Sequence, residues 1–469
     1  MSSPTIPQDL RILDDLRTLL LEQAAAMEDV MGTPPRVNPR LDPDLYERRL
    51  ADEHSRPAML AKLFLLGRPV GAADAASALH PVEIDALVQT GLAQLDEGVV
   101  RPLARVSPHD GVLLASDLPA DQDPPDLVTG LSPSAQRVER LTIRRPVRTA
   151  LDLGTGSGVQ ALLTARHAER VVAVDVNRRG LAFARFNAAL NGLSNIELRE
   201  GSWLEPVDDE RYDLVVANPP YVVSPDTEFL YRDGHLSGDA VTQQLLRDVP
   251  AHLEEGGFAH VMGNWGHGRD EDWRAPVEAW LAGSGCDVLL LNYATHDPVL
   301  YAALWNQLLL VQGRAPYLSA VDRWLDFYRR EGIEAITEGM VVLRRRAGGR
   351  NWVRAIEVPG GPTGAAGNHV FRLFEARDRR DELADDEVLL GMHFAAAPDL
   401  RFGRRAGHAT VELEAGIGFA APLSVAIAEQ IATLDGSRPL GEVVDGVGAA
   451  ATVRRLLSLG LLVFSDDTR

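Results

Sequence analysis

The chain has 469 residues and a hydrophobic fraction of 45%, which excludes general disorder and is too long for one ordinary domain. Lys and Arg number 47 against 67 Asp and Glu, a formal net charge of −20 that repels phosphate backbones at long range and argues against a duplex-binding protein. Cys286 is the single cysteine, so an intrachain disulfide and a cysteine-based zinc site are excluded.

In chain order, the start Met1-Ser-Ser-Pro-Thr-Ile-Pro-Gln-Asp9 has neither a basic nor an apolar leader segment, and a cytoplasmic protein without a membrane span is expected. Residues 1–118 read as a helical, winged-helix-like N-terminal domain. Leu10, Leu13, Leu16, Leu19 and Leu20 recur at helical spacing, followed by a break at Thr33-Pro-Pro35. From Ala58 to Val100 the pattern is helix, short turn, helix and a Gly-bounded β-like tail. The segment Asp117–Gly130, rich in Pro and Asp, reads as a linker.

From Thr149 the texture changes to alternating strands and helices. Ala150–Leu153, Val171–Val174, Ile196–Leu198, Leu214–Ala217, Phe258–Met262, Cys286–Leu291 and Met340–Arg344 form a seven-strand set. Helices are expected over 159–168, from Asp175 through Asn191, and over 239–254. Such alternation predicts a doubly wound, mostly parallel α/β sheet over residues 131–358. A helical insertion falls at about 297–331. Its apolar stretch Val299–Val311 is interrupted by Asn306 and Gln307 and is well short of the roughly 20 residues a membrane span needs. After a second Gly/Pro-rich linker at 359–367, residues 369–469 read as a small α/β domain with a winged-helix-like end, because the grammar of 427–463 repeats that of 64–100.

Two motifs carry chemistry. Leu151-Asp-Leu-Gly-Thr-Gly-Ser-Gly158 lies between a strand and a helix, where backbone N–H groups converge on one spot. Its third Gly comes one residue earlier than a dinucleotide fingerprint requires. Asp175 ends the second strand, 21 residues after Gly154, at the position where a carboxylate accepts ribose hydroxyls. The second motif is Asn218-Pro219-Pro220-Tyr221 at the carboxyl end of a buried strand. Two prolines after an Asn stop the strand in a rigid turn. That turn offers an amide oxygen, a carbonyl without a ladder partner and an aromatic face.

Together these residues resemble the class I S-adenosylmethionine-dependent methyltransferases. Over about 131–346 the chain is similar to the HemK-type protein-glutamine N5-methyltransferases, and to the wider set with the same four-residue motif that methylates exocyclic amines of nucleobases. The resemblance implies a Rossmann-like seven-stranded fold and S-adenosyl-L-methionine as cofactor. It implies that Gly154, Thr155, Gly156 and Gly158 line the methionine part, that Asp175 holds the ribose, and that Val176 and Asn177 flank the adenine. Ser202 and Trp203 fall where the family often has an Asp followed by an apolar residue. Asp152 either orders the glycine loop or contacts the methionine amine. The Pro-Arg-x-(Glu/Asp)-Thr segment that often precedes the loop in HemK-type enzymes is represented only by Ser132-Pro-Ser-Ala135, which lacks the Arg and the acid.

By the same resemblance, Asn218 and the Pro219 carbonyl accept the two hydrogens of a planar –NH2 group, with Tyr221 stacked on it and Pro220 beside it. Asn218, Pro219 and Tyr221 are the expected catalytic residues, with no strong general base needed. The acidic charge favours a protein or peptide carboxamide as acceptor; an exocyclic amine of ribosomal RNA is the alternative. No His/carboxylate set has zinc spacing, so no metal is expected. His235 and His267 are expected in solvent-facing loops, and Arg344-Arg-Arg346 at a solvated strand end.

Overall fold

The computed structural model describes residues 3–32, 43–118, 124–227, 232, 238–348, 350–358, 360–405, 408–445 and 448–465. They cluster into two compact units, Met1–Val138 with Pro146–Ile356, and Glu139–Arg145 with Glu357–Arg469.

The first unit is built on an eight-stranded sheet: β1 Val147–Leu153, β2 Ala168–Asp175, β3 Ile196–Glu200, β4 Tyr212–Ala217, β5 Leu253–His267, β6 Cys286–His296, β7 Ala335–Arg345 and β8 Val353–Glu357. Their order is β8-β6-β7-β5-β4-β1-β2-β3. Neighbouring strands among β1–β5 are parallel, whereas β7 runs antiparallel to both β5 and β6. Apolar runs such as Val171–Val174 and Leu214–Ala217 are buried along their whole length, as a parallel strand covered on both faces requires. Helices α1 Val159–Thr164, α2 Arg178–Leu190, α3 Ala240–Asp248 and α4 Ala275–Trp280 supply that cover.

This is the Rossmann-like sheet the sequence predicts, with an eighth strand beyond the seven expected. Val353–Glu357 is short and only half-buried, so it lacks the apolar run that betrays the central strands. The helix expected over 159–168 ends at Thr164, and Ala168 already belongs to β2. Likewise the helix expected over 239–254 stops at Asp248, just before Val249-Pro250, where the proline ring removes a backbone donor.

The sheet order reverses between β1's two neighbours, β2 and β4, which opens a crevice beyond the carboxyl ends of the strands. Register makes the crevice specific. Leu153 is level with Val174 on one side and with Ala217 on the other. Gly154, Asp175 and Asn218 therefore leave the sheet at the same height.

Residues 3–32 and 43–118 pack into this unit. Helix Arg11–Met31 buries Leu13, Leu16, Leu19, Leu20 and Met27, in one core with Phe183, Phe186 and Leu190 of α2. Strands Val70–Gly71, Ala93–Asp96 and Val99–Pro102 form an antiparallel sheet with 99–102 in the middle. Helices Ala72–Leu79 and Ile84–Gln89 lie between the first two in sequence. The hairpin Arg105–His109/Val112–Ser116 was not anticipated from sequence. Its edge is satisfied by α2: the Asn187 amide bonds both backbone groups of Ala115, at 2.8 and 2.9 Å, and Asn191 does the same for Leu113 at 2.8 and 2.7 Å. The i, i+4 spacing puts both amides on one helix face, and an otherwise open strand edge is covered.

The insertion comprises α5 Pro298–Asn306, a 3₁₀ segment Gln307–Val311 and α6 Arg314–Glu331. Asp297 caps α5 through Val299 N and Leu300 N. In the second unit, helix Gly367–Asp378 accompanies two three-stranded sheets and helix Ala449–Ser458, around a core of Phe394, Val411, Ile431, Leu440, Val453, Leu456 and Phe464.

Candidate active site

The glycine loop is tied down from two sides. Gly154 N and Thr155 N both donate to Val174 O at 3.0 Å. The Asp175 carboxylate then reaches across, accepting from Gly156 N at 2.7 Å and from Asn177 N at 2.7 Å. Burial pushes the Asp175 pKa up, opposed by the amides of Asn177, Gly156 and Val176. Gly158 has φ +91°, and a Cβ there would meet Ala184 Cβ at 3.2 Å; only glycine lets α1 and α2 approach this closely. Gly156, at φ +54°, faces open space, where a Cβ would meet no atom within 4 Å.

Asn177 caps α2, its side chain accepting from Arg179 N and Gly180 N, while its amide donates to Asp126 O at 3.0 Å. Asp152 is buried beneath the loop and takes Thr155 Oγ1 at 2.6 Å and Ala161 N at 3.0 Å on one oxygen. Its other oxygen is buried without a hydrogen-bond partner. Burial pushes its pKa up to about 7, against the stabilising bonds from Thr155 and Ala161. Asp152 does not line the cavity described next.

A cavity of about 510 Å³ opens at the crevice. Gly154, Thr155, Gly156, Asp175, Val176, Asn177, Ser202 and Trp203 contribute to one part of its wall, and Asn218, Pro219, Pro220 and Tyr221 to another. The sequence-predicted residues thus meet in one place, with Asp152 and Gly158 standing behind the loop. Asn218 Oδ1 is buried with no hydrogen-bond partner. An amide oxygen kept dry and unpaired costs roughly 1–3 kcal/mol, and such a group in a cavity wall is set for an incoming donor.

Tyr221 is half-buried, edge-on to Trp305 of α5, with ring centroids 6.4 Å apart and planes at 79°. Burial pushes its pKa up, opposed by Ser134 and the Arg137 charge. The segment after the motif is clamped by the insertion: Tyr328 Oη donates to Val223 O at 2.8 Å, and Tyr301 Oη accepts from Val223 N at 3.2 Å and from Asn264 Nδ2 at 2.7 Å. Asp226 accepts from Trp324 Nε1 at 2.9 Å and from Arg323 at 2.8 Å.

Sequence reasoning missed part of the wall. Ser134 and Arg137 come from helix Pro133–Leu141, Trp305 from α5 and Glu338 from β7. Arg137 is ion-paired with Glu338 and lies over the Tyr293 ring, 5.1 Å from its centroid. Only Ser134 carried a signal, as part of the segment that departs from the HemK pattern. Other expectations are corrected. His267 is buried at the end of β5 and bonds Thr337 Oγ1 at 3.0 Å, so it is no solvent-facing loop residue. Arg344 forms a 2.6 Å pair with fully buried Asp287 and is no solvated strand end. His235 lies outside the described residues.

The methyltransferase small domain family matches residues 135–269. Over this segment the chain is similar to HemK-like class I methyltransferases. A family described as a domain of unknown function (DUF7059) matches residues 42–103. The release factor glutamine methyltransferase of Xylella fastidiosa is 35% identical over 145 residues, covering 28% of this chain and 51% of that protein. The ribosomal protein uL3 glutamine methyltransferase of Bradyrhizobium diazoefficiens is 36% identical over 149 residues, covering 29% of this chain and 47% of that protein. The chain spans about half the length of these curated relatives. Among the described residues, no helix is long and apolar enough to cross a membrane.

Proposed function

We propose that the chain is an S-adenosylmethionine-dependent N-methyltransferase acting in the cytoplasm on a planar amide nitrogen, a glutamine-type side chain in a protein or peptide. The observation that carries this reading is Asn218 Oδ1, dry and unpaired in the wall that also holds the glycine loop and Asp175. The names of the relatives, both glutamine methyltransferases, point the same way.

The residues present fit the cofactor. The bare Gly156 surface leaves room for the methionine chain against the loop. The Asp175 carboxylate, already oriented by two amides, keeps further lone-pair capacity for ribose hydroxyls. Val176 and Asn177, which line the cavity together with Ser202 and Trp203, would flank the adenine. When bound, S-adenosylmethionine supplies an electrophilic sulfonium methyl.

The acceptor nitrogen is a poor nucleophile because its lone pair is delocalised into the carbonyl. Asn218 Oδ1 accepts one of its hydrogens and the Pro219 carbonyl the other. Pinning both favours a pyramidal nitrogen and aims its lone pair into the cavity. Tyr221 and Pro220 hold the amide plane, and Trp305 backs Tyr221. Orientation and stabilisation of the growing positive charge are the main contributions.

A nucleic-acid acceptor is the less favoured reading. The two cations among the described lining residues, Arg137 and Arg232, face carboxylates of their own, Glu338 and Asp226, and a phosphate backbone needs cations to spare. Asn218→Ala tests the reading. Methyl transfer should fall by about 100-fold or more, the scale of losing one preorganised charge-stabilising group, while S-adenosylmethionine affinity by calorimetry stays within a few-fold. Turnover at the wild-type rate would remove Asn218 from the mechanism.

A further inference from the structure

The insertion exposes an apolar face at the rim of the cavity. Val299, Leu300, Leu304, Leu308, Leu310, Val311 and Leu318 are all solvent-exposed, Leu300 by 67% and Val311 by 69%. Large apolar side chains clustered in this way mark interaction surfaces, whereas single exposed ones need no explanation. The face is also nearly uncharged. Between Pro298 and Val321 the only Asp, Glu, Lys or Arg is Arg314, in a chain of which 24% is charged.

The face continues into the cavity. Leu304 belongs to both, and Trp305 and Gln307 beside it also line the wall. Whatever covers Leu304 therefore stands over the cavity mouth. The insertion is also built as a firm platform. Its inner side packs Tyr301, Ala302, Trp324 and Tyr328 against Val222 and Val223, directly after the Asn218–Tyr221 turn. A mobile arm would not need three tyrosine and tryptophan hydrogen bonds to the segment 223–226.

We propose that this face docks the methyl-accepting polypeptide itself, gripping an apolar segment flanking the acceptor side chain while that side chain enters the cavity past Leu304 and Trp305. The inference rests on the acceptor reading above. Three features select the occupant. A polypeptide suits an uncharged apolar surface, a phosphate backbone does not, and a second copy of this chain seated here would close both cavities. The face thus gives affinity for the acceptor chain, and Asn218 and Tyr221 give reaction at its amide, a division in which remote contacts hold the reacting group in place.

The test is tritiated methyl transfer from S-adenosylmethionine into a soluble protein extract from cells lacking this chain, comparing wild type with Leu300→Asp/Val311→Asp. Both side chains are exposed, so the charges cost little folding energy; a Leu300→Ser/Val311→Ser variant serves if the aspartates disturb it, and unchanged S-adenosylmethionine affinity certifies either. The variant should need about tenfold more extract protein for half-maximal labelling, as for loss of an apolar anchor pair, with the plateau rate kept. Equal labelling curves would overturn the docking role and leave the methyltransferase reading standing. A wild type that labels no protein would overturn the acceptor reading, and docking with it. Ultracentrifugation adds one outcome: a wild-type dimer that the double variant splits would assign the face to a second copy.

Discussion

The carboxylates under and over the glycine loop have opposite solvent relations, and this gives Asp152 a pH signature. Asp175 faces the cavity, whereas Asp152 is buried with one oxygen unpartnered and a pKa pushed up to about 7. A carboxyl whose folded pKa lies above its unfolded one binds its proton more tightly in the folded state. Its contribution is then fully present below about pH 4 and is lost as pH rises through about 7. Asp152→Asn cannot ionise, so its stability relative to wild type should improve between pH 5 and pH 8, by at most on the order of 3 kcal/mol. Urea denaturation at the two pH values reads this directly. A difference between the proteins that stays constant with pH would mean that Asp152 is ionised in the fold, its charge met by the loop amides.

At the scale of elements, the insertion and the Asn-Pro-Pro-Tyr turn act as one block, and Asp226 is the pin. Its carboxylate meets Trp324 Nε1, Arg323 and Arg232. Asp226→Ala leaves the indole N–H of buried Trp324 without its acceptor, a loss of about 1–3 kcal/mol. The segment 222–224 then keeps Tyr301, Tyr328 and its backbone bonds to Arg232 and Gly238. The expected result is lower stability in urea and a raised KM for acceptor, with S-adenosylmethionine affinity unchanged because none of the Asp226 partners belongs to the glycine loop. Weaker cofactor binding would contradict that separation. The motif halves of this site were legible in the sequence because each is local: a glycine loop after a strand, an acid ending the next strand, a proline stop after another. The insertion was legible as helices at 297–331, but not as a wall of the site. Trp305, Arg137 and Glu338 arrive from three elements far apart in sequence, and no spacing rule links them. The Asn187/Asn191 pair, which satisfies the hairpin at Leu113 and Ala115, was equally invisible. A mid-helix Asn reads as a weak helix former until the strand edge it covers is known.

For the whole molecule, the division into two compact units falls within the helix Pro133–Leu141. Pro133, Ser134, Ala135 and Arg137 line the cavity, while residues from Glu139 to Arg145 belong to the unit formed by 357–469. Within that unit, Arg145 lies 4.2 Å from the Phe371 ring centroid and pairs with Glu375 at 3.9 Å. The Thr142 carbonyl comes so close to Gly367 that a Cβ there would collide with it. Gly367 therefore sets how tightly the segment 139–145 is held, although it lies more than two hundred residues from Ser134 in sequence. Gly367→Val overpacks this contact and should cost about 1–3 kcal/mol. Urea denaturation reads this as a midpoint below the wild type's. A variant with the wild-type midpoint would show that the Thr142 carbonyl moves aside without cost.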